Sequence, residues 1–389
     1  AWEELARLLP EDKDLAKRLA AAGRSWEAHK RRRAKAAVQF PIGTSSVPAD
    51  APLRMRLAAR FQRYSTSTLS AADVYDTDID SPKSVVISTD GATVYVNSLE
   101  GRRTVVYDAF PPAKRRAIKH YFGARQSRLF PGREPWFGYK FSEDLPPGGP
   151  NVFSGKPVEG ALSHGGRFFW VPYYRRDFDL DGTQPSAVAV IDAAAGEIVR
   201  VLPVGPIAKN ISPSPDGRYM AVAHWGGDSV GFIDISSSNP AAFVPAGLVA
   251  LGAMDLPPGT EGMDRDRECG LCVRGLAWSP DSKLLFAGCM GGTGGVAVID
   301  AGRPDGPGLA GRVDLGGKPR DLAVSPDGKW LFAASSGAGA VIRAEVADVT
   351  AAVSTGPAAA LTLSSVKTGG TPRSMRLSPN GRWLFVALN

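Results

Sequence analysis

Six stretches of this chain align without a gap, and their spacing restricts the fold more than any other feature of the sequence. They are residues 81–91, 156–166, 207–217, 272–282, 318–328 and 371–381. Each reads as a short strand running into a turn of Ser-Pro-Asp-Gly type, as in Ser325-Pro326-Asp327-Gly328. Proline presets φ at such a turn, aspartate bonds back to nearby backbone, and glycine takes a positive φ. An apolar strand follows each turn: TVYVN, FFWVPYY, YMAVAH, LLFAGC, WLFAAS and WLFVAL. Most copies continue into a polar or Gly-rich loop and a third strand ending in aspartate, at Asp108, Asp192, Asp234 and Asp300. A fourth, less regular apolar strand completes the unit.

Four antiparallel strands recurring at about 40–50 residues make a propeller blade. One blade cannot bury both of its faces, so blades stack around an axis. The expected fold is all-β: a β-propeller of four-stranded antiparallel blades. Gap-free repetition argues against the alternative, an open sandwich of meanders.

The segment Val94-Tyr95-Val96-Asn97, taken with the Ser-Pro-Asp-Gly turns, resembles the YVTN-repeat β-propellers. The resemblance spans roughly 81–389 and implies seven blades and a secreted or periplasmic setting. The same resemblance covers binding modules, subunits of redox enzymes and lactonase-like enzymes, so it specifies fold better than activity. The chain opens at Ala1 as a secreted protein would after removal of a signal segment, and a periplasmic or extracellular location is expected.

Two departures from a plain ring stand out. The last repeat stops after its second strand at Asn389, so closure is expected from strands at 38–42 and 64–69, or from further chain. Residues 1–70 read as a helical and extended N-terminal segment, with two helices in 1–37 and a short one around Leu57, Phe61 and Tyr64. Residues 71–389 read as the propeller, with a basic insertion at about 111–155. Within 111–140, eight Lys or Arg (114, 115, 116, 119, 125, 128, 133 and 140) face one acid, Glu134, with Tyr121, Phe122, Phe130, Trp136, Phe137 and Tyr139 interleaved. Cations with stacking rings suit single-stranded nucleic acid or another anion; aromatics packed on the propeller under wet charges are the other reading.

The repeat also predicts a site. Its third aligned position is Lys83, Val158, Lys209, Arg274, Arg320 and Arg373 in turn, cationic in five of six copies. That position opens the innermost strand, so the cations are expected around the mouth of the central channel, where low-dielectric walls focus their field on an anion. Glu159 and Asp321 are placed to neutralise two of them. The formal net charge of +7 agrees with acidic partners, an acidic protein or an anionic polymer.

Other candidates lie in the loops. His224-Trp225 is a ligand-like pair beside the same face, with a packed or hydrogen-bonded histidine as the alternative. Asp177, Asp179, Asp181 and Thr183 match the first half of a calcium loop, while Val188 stands where the bidentate glutamate belongs, so either Ca2+ or a plain acidic turn fits. Cys269-Gly-Leu-Cys272 precedes an inner strand, and counting register from the 279–282 turn puts 273 opposite Cys289, so a disulfide from Cys269 or Cys272 to Cys289 is expected. A thiolate metal site or reduced thiols are the alternatives.

No GxSxG, Walker, HExxH or dinucleotide signature occurs in its required context, and no stretch approaches the roughly 20 apolar residues of a membrane span. The leading expectation is therefore a non-catalytic binding or scaffold propeller with a cationic channel mouth. A subunit or docking partner of a cytochrome-containing redox complex and a lactonase-like hydrolase are the alternatives.

Overall fold

The computed structural model describes residues 40–45, 54–66, 70–130, 153–177, 179–252, 263–292, 294–355 and 361–389. The helices expected in 1–37, and Arg133, Trp136, Phe137, Tyr139 and Lys140 of the basic segment, lie outside the described residues. Two compact units divide the chain, Ala1–Asp80 and Ser81–Asn389. In the first, Arg60–Gln62 pairs in parallel with Asp73–Tyr75, so the stretch around Phe61 is a strand and not the expected helix.

The second unit is a β-propeller built from successive antiparallel sheets. Sheet one holds Pro82–Ile87, Thr93–Ser98, Arg103–Asp108 and Ala113–Lys119. Sheet two holds Ala161–Ser163, Phe168–Arg176, Ser186–Asp192 and Glu197–Val204, and is widened by Phe153–Pro157 and Tyr121–Phe122. Sheet three runs through Ala208–Pro213, Tyr219–His224, Ser229–Asp234 and Val244–Ala250. Sheet four runs through Val273–Trp278, Leu284–Cys289, Val296–Asp300 and Gly308–Val313. Sheet five holds Pro319–Val324, Trp330–Ser335, Ala340–Glu345 and Ser364–Lys367, with the helix Val346–Thr355 before its last strand. Sheet six is the hairpin Pro372–Leu377 and Leu384–Leu388. Six sheets thus stand among the described residues of this second unit, against the seven blades implied by the resemblance, and the two strands of sheet six pair only with each other.

The turns explain why the strands start and stop where they do. Ser279 Oγ donates to Asp281 at 2.6 Å and accepts the Leu284 N–H at 2.9 Å, while the Asp281 carboxylate accepts the Lys283 N–H at 3.1 Å. The same triangle recurs at Ser88, Ser214, Ser325 and Ser378. Each closes a hairpin locally and fixes its register.

Middle strands are apolar on both faces because neighbouring sheets cover both. Tyr219 and Phe232 of sheet three pack with Leu276, Trp278 and Leu285 of sheet four, and Phe286 of sheet four packs toward Leu322 and Leu331 of sheet five. Gly275 permits the closest approach: a Cβ there would lie 2.8 Å from Asp321 Cα, in the adjoining inner strand.

The first part of the expected basic insertion is regular propeller, and 131–152 lie outside the described residues. Ala113–Lys119 is the outer strand of sheet one, with Lys114, Arg115 and Arg116 exposed. Charged side chains on an outer strand oppose edge-to-edge pairing with another sheet. Phe122 and Phe130 are buried against Phe153 and Tyr173, with ring centroids of Phe122 and Phe153 5.0 Å apart. These two aromatics are core, which answers the choice between stacking platform and packing for them. Among the described residues, no helix is long and apolar enough to cross a membrane.

Candidate anion site in the central channel

Five of the six inner strands carry an irregularity near their start. In sheets one, three, five and six the pairing register shifts across Lys83, Lys209, Arg320 and Arg373; in sheet four it shifts across Arg274 and Gly275. A β-bulge leaves one residue without a cross-strand partner and re-aims its side chain. The repeat therefore places its cation on a bulge, and the bulge frees the side chain from the alternation that would send it between sheets.

Five inner strands, and the residues just before the inner strand of sheet two, contribute to one cavity of about 600 Å³, lined among others by Lys83, Glu159, Arg274, Arg320, Arg373 and Arg376. Five cations and two acids, Glu159 and Asp321, face it, an excess of three positive charges. Arg274 pairs with Glu159 at 3.1 Å, and Arg376 pairs with Asp321 at 3.2 Å. Among the described residues Lys83, Arg320 and Arg373 make no ion pair, and Arg320 Nε is buried with no hydrogen-bond partner.

Titration behaviour follows from this crowding. Burial, then the charges of Arg274 and Arg373, hold Arg320 down to about 10. Lys83, open to the cavity yet ringed by protein, is lowered by desolvation and then by Arg274. Burial raises the Glu159 carboxyl above its ordinary value, against the opposing pull of Arg274. Every shift begins with the loss of water, and for the two cations the neighbouring positive charges add to it.

Lys209, the fifth repeat cation, is diverted. Its ammonium donates to Asp266 at 2.8 Å and lies 4.3 Å from the Tyr174 ring centroid and 5.0 Å from that of Trp225. Desolvation, the largest influence, lowers it to about 8 despite Asp266. Trp225 serves as the floor of this cage, and its Nε1 donates to the Asp266 carbonyl at 3.0 Å.

His224 does not face the channel. It is fully buried; its Nε2 accepts the Gly205 N–H at 3.1 Å and its Nδ1 lies 3.0 Å from Ser229 Oγ. Desolvation holds it down to about 3, so it is neutral, with the proton on Nδ1. It is a hydrogen-bonded core residue, because its middle strand is covered on both faces and every position from 219 to 224 is buried.

The acidic loop is also engaged internally. Asp177 accepts the Ser154 N–H at 2.9 Å and pairs with Arg102 at 3.3 Å; Asp179 accepts the N–H groups of Gly182 and Thr183 at 2.9 and 3.1 Å; the Asp181 carbonyl accepts the Arg265 N–H at 2.8 Å. Among the described residues no three His, Cys, Asp or Glu side chains form a group fit to hold a metal ion.

The cysteines correct the expected pairing. Val273 does face Cys289 across the hairpin, but the disulfide joins Cys269 to Cys272, and Cys289 is a buried free thiol. Cys272 stands in a left-handed conformation, φ 52°, just before the strand begins, so the loop closes on its own neighbour. Burial pushes the Cys289 thiol up to about 11.

Sequence reasoning passed over Arg376. The aligned position is Val86, Ala161, Ser212, Ala277 and Ala323 in the other copies, and an arginine among small and apolar residues was the available signal.

The profile of the WD domain, G-beta repeat family matches residues 268–294, the first hairpin of sheet four and the loop before it. No curated protein matches the chain. Among solved structures, a functionally unknown protein from Desulfotomaculum acetoxidans is 13% identical with a TM-score of 0.55, covering 80% of each chain. The beta-propeller domain of Cps50 (Swd1) from Myceliophteria thermophila is 13% identical with a TM-score of 0.50, covering 83% of this chain and 82% of that one. The periplasmic gluconolactonase of Pseudomonas aeruginosa is 19% identical with a TM-score of 0.49, covering 79% and 78%. The likeness to the Cps50 propeller domain and to the WD repeat agrees with the fold, and at such identity it speaks to fold alone.

Proposed function

We propose that this propeller binds a small, multiply charged oxyanion in its central channel, as a binding module of the YVTN-repeat kind. One observation carries the reading: Lys83, Arg320 and Arg373 line a single cavity with no acid partner among the described residues, and Arg320 keeps a buried Nε–H unused. A buried donor left without a partner costs about 1–3 kcal/mol, and an oxyanion seated there recovers it. Guanidinium forks suit carboxylate and phosphate oxygens. A small anion is favoured over an acidic protein surface because three of the five cations, Arg274, Arg320 and Arg373, are recessed, the Arg274 side chain only 11% exposed, while Lys83 and Arg376 are exposed.

The test is calorimetric titration with sulfate, a phosphate monoester and a tricarboxylate, and absence of saturable binding by all three removes the reading. Sulfate also tests the electrostatics, since its own charge is constant over the range used. Bound anion favours the protonated form of every group in the cavity. Glu159, raised by burial, gains its negative charge as pH climbs; Lys209, Lys83 and Arg320, all lowered, lose positive charge earlier than ordinary. Affinity is therefore greatest in acid and is expected to fall by about tenfold between roughly pH 5 and pH 9.

Glu159 favours a second reading, a hydrolase acting on an anionic sugar lactone. The sequence named no general acid or base for such chemistry. A carboxyl whose proton affinity is raised by burial inside a cationic cavity, 3.1 Å from Arg274, is a group able to take and return a proton. If the parent protein turns over any member of a lactone panel, Glu159→Gln should lower kcat by about a hundredfold or more. KM should fall at the same time, because a negative charge has left an anion site. A parent without turnover on the panel eliminates this reading and leaves the binding one standing.

A further inference from the structure

The loop 263–272, ahead of the inner strand of sheet four, reaches across to sheets two and three. Asp264 pairs with Arg175 at 2.5 Å, Asp266 with Lys209 at 2.8 Å, and Arg265 donates from Nε and Nη2 to the Gly226 carbonyl at 2.9 and 2.6 Å. At its C-terminal end the Cys269–Cys272 disulfide closes a turn within the loop, and Asp228 holds that turn from outside, its Oδ1 accepting the Leu271 N–H at 2.8 Å. The fit is close enough to require glycine: a Cβ on Gly270 would lie 2.1 Å from Asp228 Oδ2, and one on Gly291 would lie 2.5 Å from Cys272 Sγ.

This loop sets the charge at the channel. Asp266 neutralises the one repeat cation that is missing from the cavity wall, and its charge also reaches Lys83, which it favours in the protonated form. Lys209 in turn senses the cations Arg274 and Lys83. Moving the loop away would remove a negative charge from the cavity's surroundings and leave Lys209 without its counter-ion.

We infer that the Cys269–Cys272 disulfide is a thiol-modification site, open to a dithiol reductant, that latches this loop and thereby lowers the anion affinity of the channel. The inference rests on the anion-binding reading given above. Cys269 is buried at 2% exposure and Cys272 is half-buried, so attack falls on Cys272 Sγ. A thiolate of the reductant bonds to that sulfur, the bond between the two cysteines breaks, and Cys269 leaves as a thiolate and takes up a proton. The second thiol of the reductant then attacks the mixed disulfide. It releases Cys272 as a thiol and leaves the reductant as its cyclic disulfide, so two electrons and two protons pass to the protein. Cys289 does not compete as a nucleophile, being fully buried and held protonated.

The experiment measures sulfate affinity of the whole chain before and after reduction with dithiothreitol, with amide hydrogen exchange of 263–272 followed in parallel. Reduction is expected to tighten sulfate binding by about fivefold and to speed exchange across the loop. Asp266→Asn, with the disulfide intact, should tighten binding by a similar factor and gain little more on reduction. The Cys269→Ser/Cys272→Ser variant should bind like the reduced protein; should it fail to fold, the reduced wild-type chain still decides. Equal sulfate affinity in the two redox states overturns the latch while leaving the channel site standing. Absence of sulfate binding in both states overturns the channel reading and the latch with it.

Discussion

Replacing Arg320 and Arg373 together with alanine is expected to weaken binding of a small dianion by at least about a hundredfold, since each charged hydrogen bond to an anion is worth roughly 1.5–3 kcal/mol. These two side chains, with Lys83, are the channel cations that no acid among the described residues neutralises. The same variant should be no less stable than the parent. Arg320 is held down to about 10 by burial and by Arg274 and Arg373, which means that its charge is a cost in the empty channel. A loss of binding with a neutral or favourable change in denaturant midpoint is the signature of groups kept for a ligand. Structural arginines give the reverse. Lys283→Ala, at a side chain 72% exposed on a turn, is the control and should leave binding unchanged. Unaltered dianion affinity in the double variant would place the site elsewhere.

The distance between what the sequence showed and what the fold did with it has physical causes. The repeat was legible because its turn chemistry is local: serine, aspartate and glycine close each hairpin with bonds inside one short segment. Its third position was legible as a cationic ring for the same reason, since every copy meets the axis at the same register. The structure gathers Lys83, Arg274, Arg320 and Arg373 in one cavity but turns Lys209 toward Asp266. That diversion was hidden because Asp266 sits in a loop with no period, reached only through three-dimensional proximity. The cysteine register was read correctly at Val273 and Cys289, yet pairing depends on where side chains point. Cys289 lies in the core between sheets, whereas Cys272 precedes the strand in a left-handed turn. His224 sits in the core for a similar reason: its middle strand is covered on both faces, so the sheets around it, and not its neighbour Trp225, decided its surroundings.

Asp321→Ala is expected to destabilise the protein by about 1–3 kcal/mol in anion-free buffer, because it strips the buried Leu322 and Met375 N–H groups of their acceptor, while its ion-pair partner Arg376 is 69% exposed and turns to water. Asp321 lies on the inner strand of sheet five and is 6% exposed. One oxygen accepts the Leu322 N–H at 3.1 Å; the other accepts from Ser374 Oγ at 3.2 Å, the Met375 N–H at 2.8 Å and Arg376 at 3.2 Å. A single carboxylate thus joins the fifth sheet to the last hairpin and offsets part of the channel's positive charge. Without it the inner strands lose a shared acceptor, and five cations face one remaining acid, Glu159. Sulfate should then rescue the variant more than it stabilises the parent, since a ligand adds about 2.7 kcal/mol at a hundred times its dissociation constant and binds the more positive cavity more tightly. Denaturant midpoints with and without sulfate read this directly. A deficit that sulfate leaves unchanged would mean that Asp321 serves only as a strand-to-strand acceptor and that the channel holds no anion. A deficit that shrinks with sulfate would give the acid a second role: it holds the inner strands together while the channel is empty, at the expense of some affinity once the channel is filled.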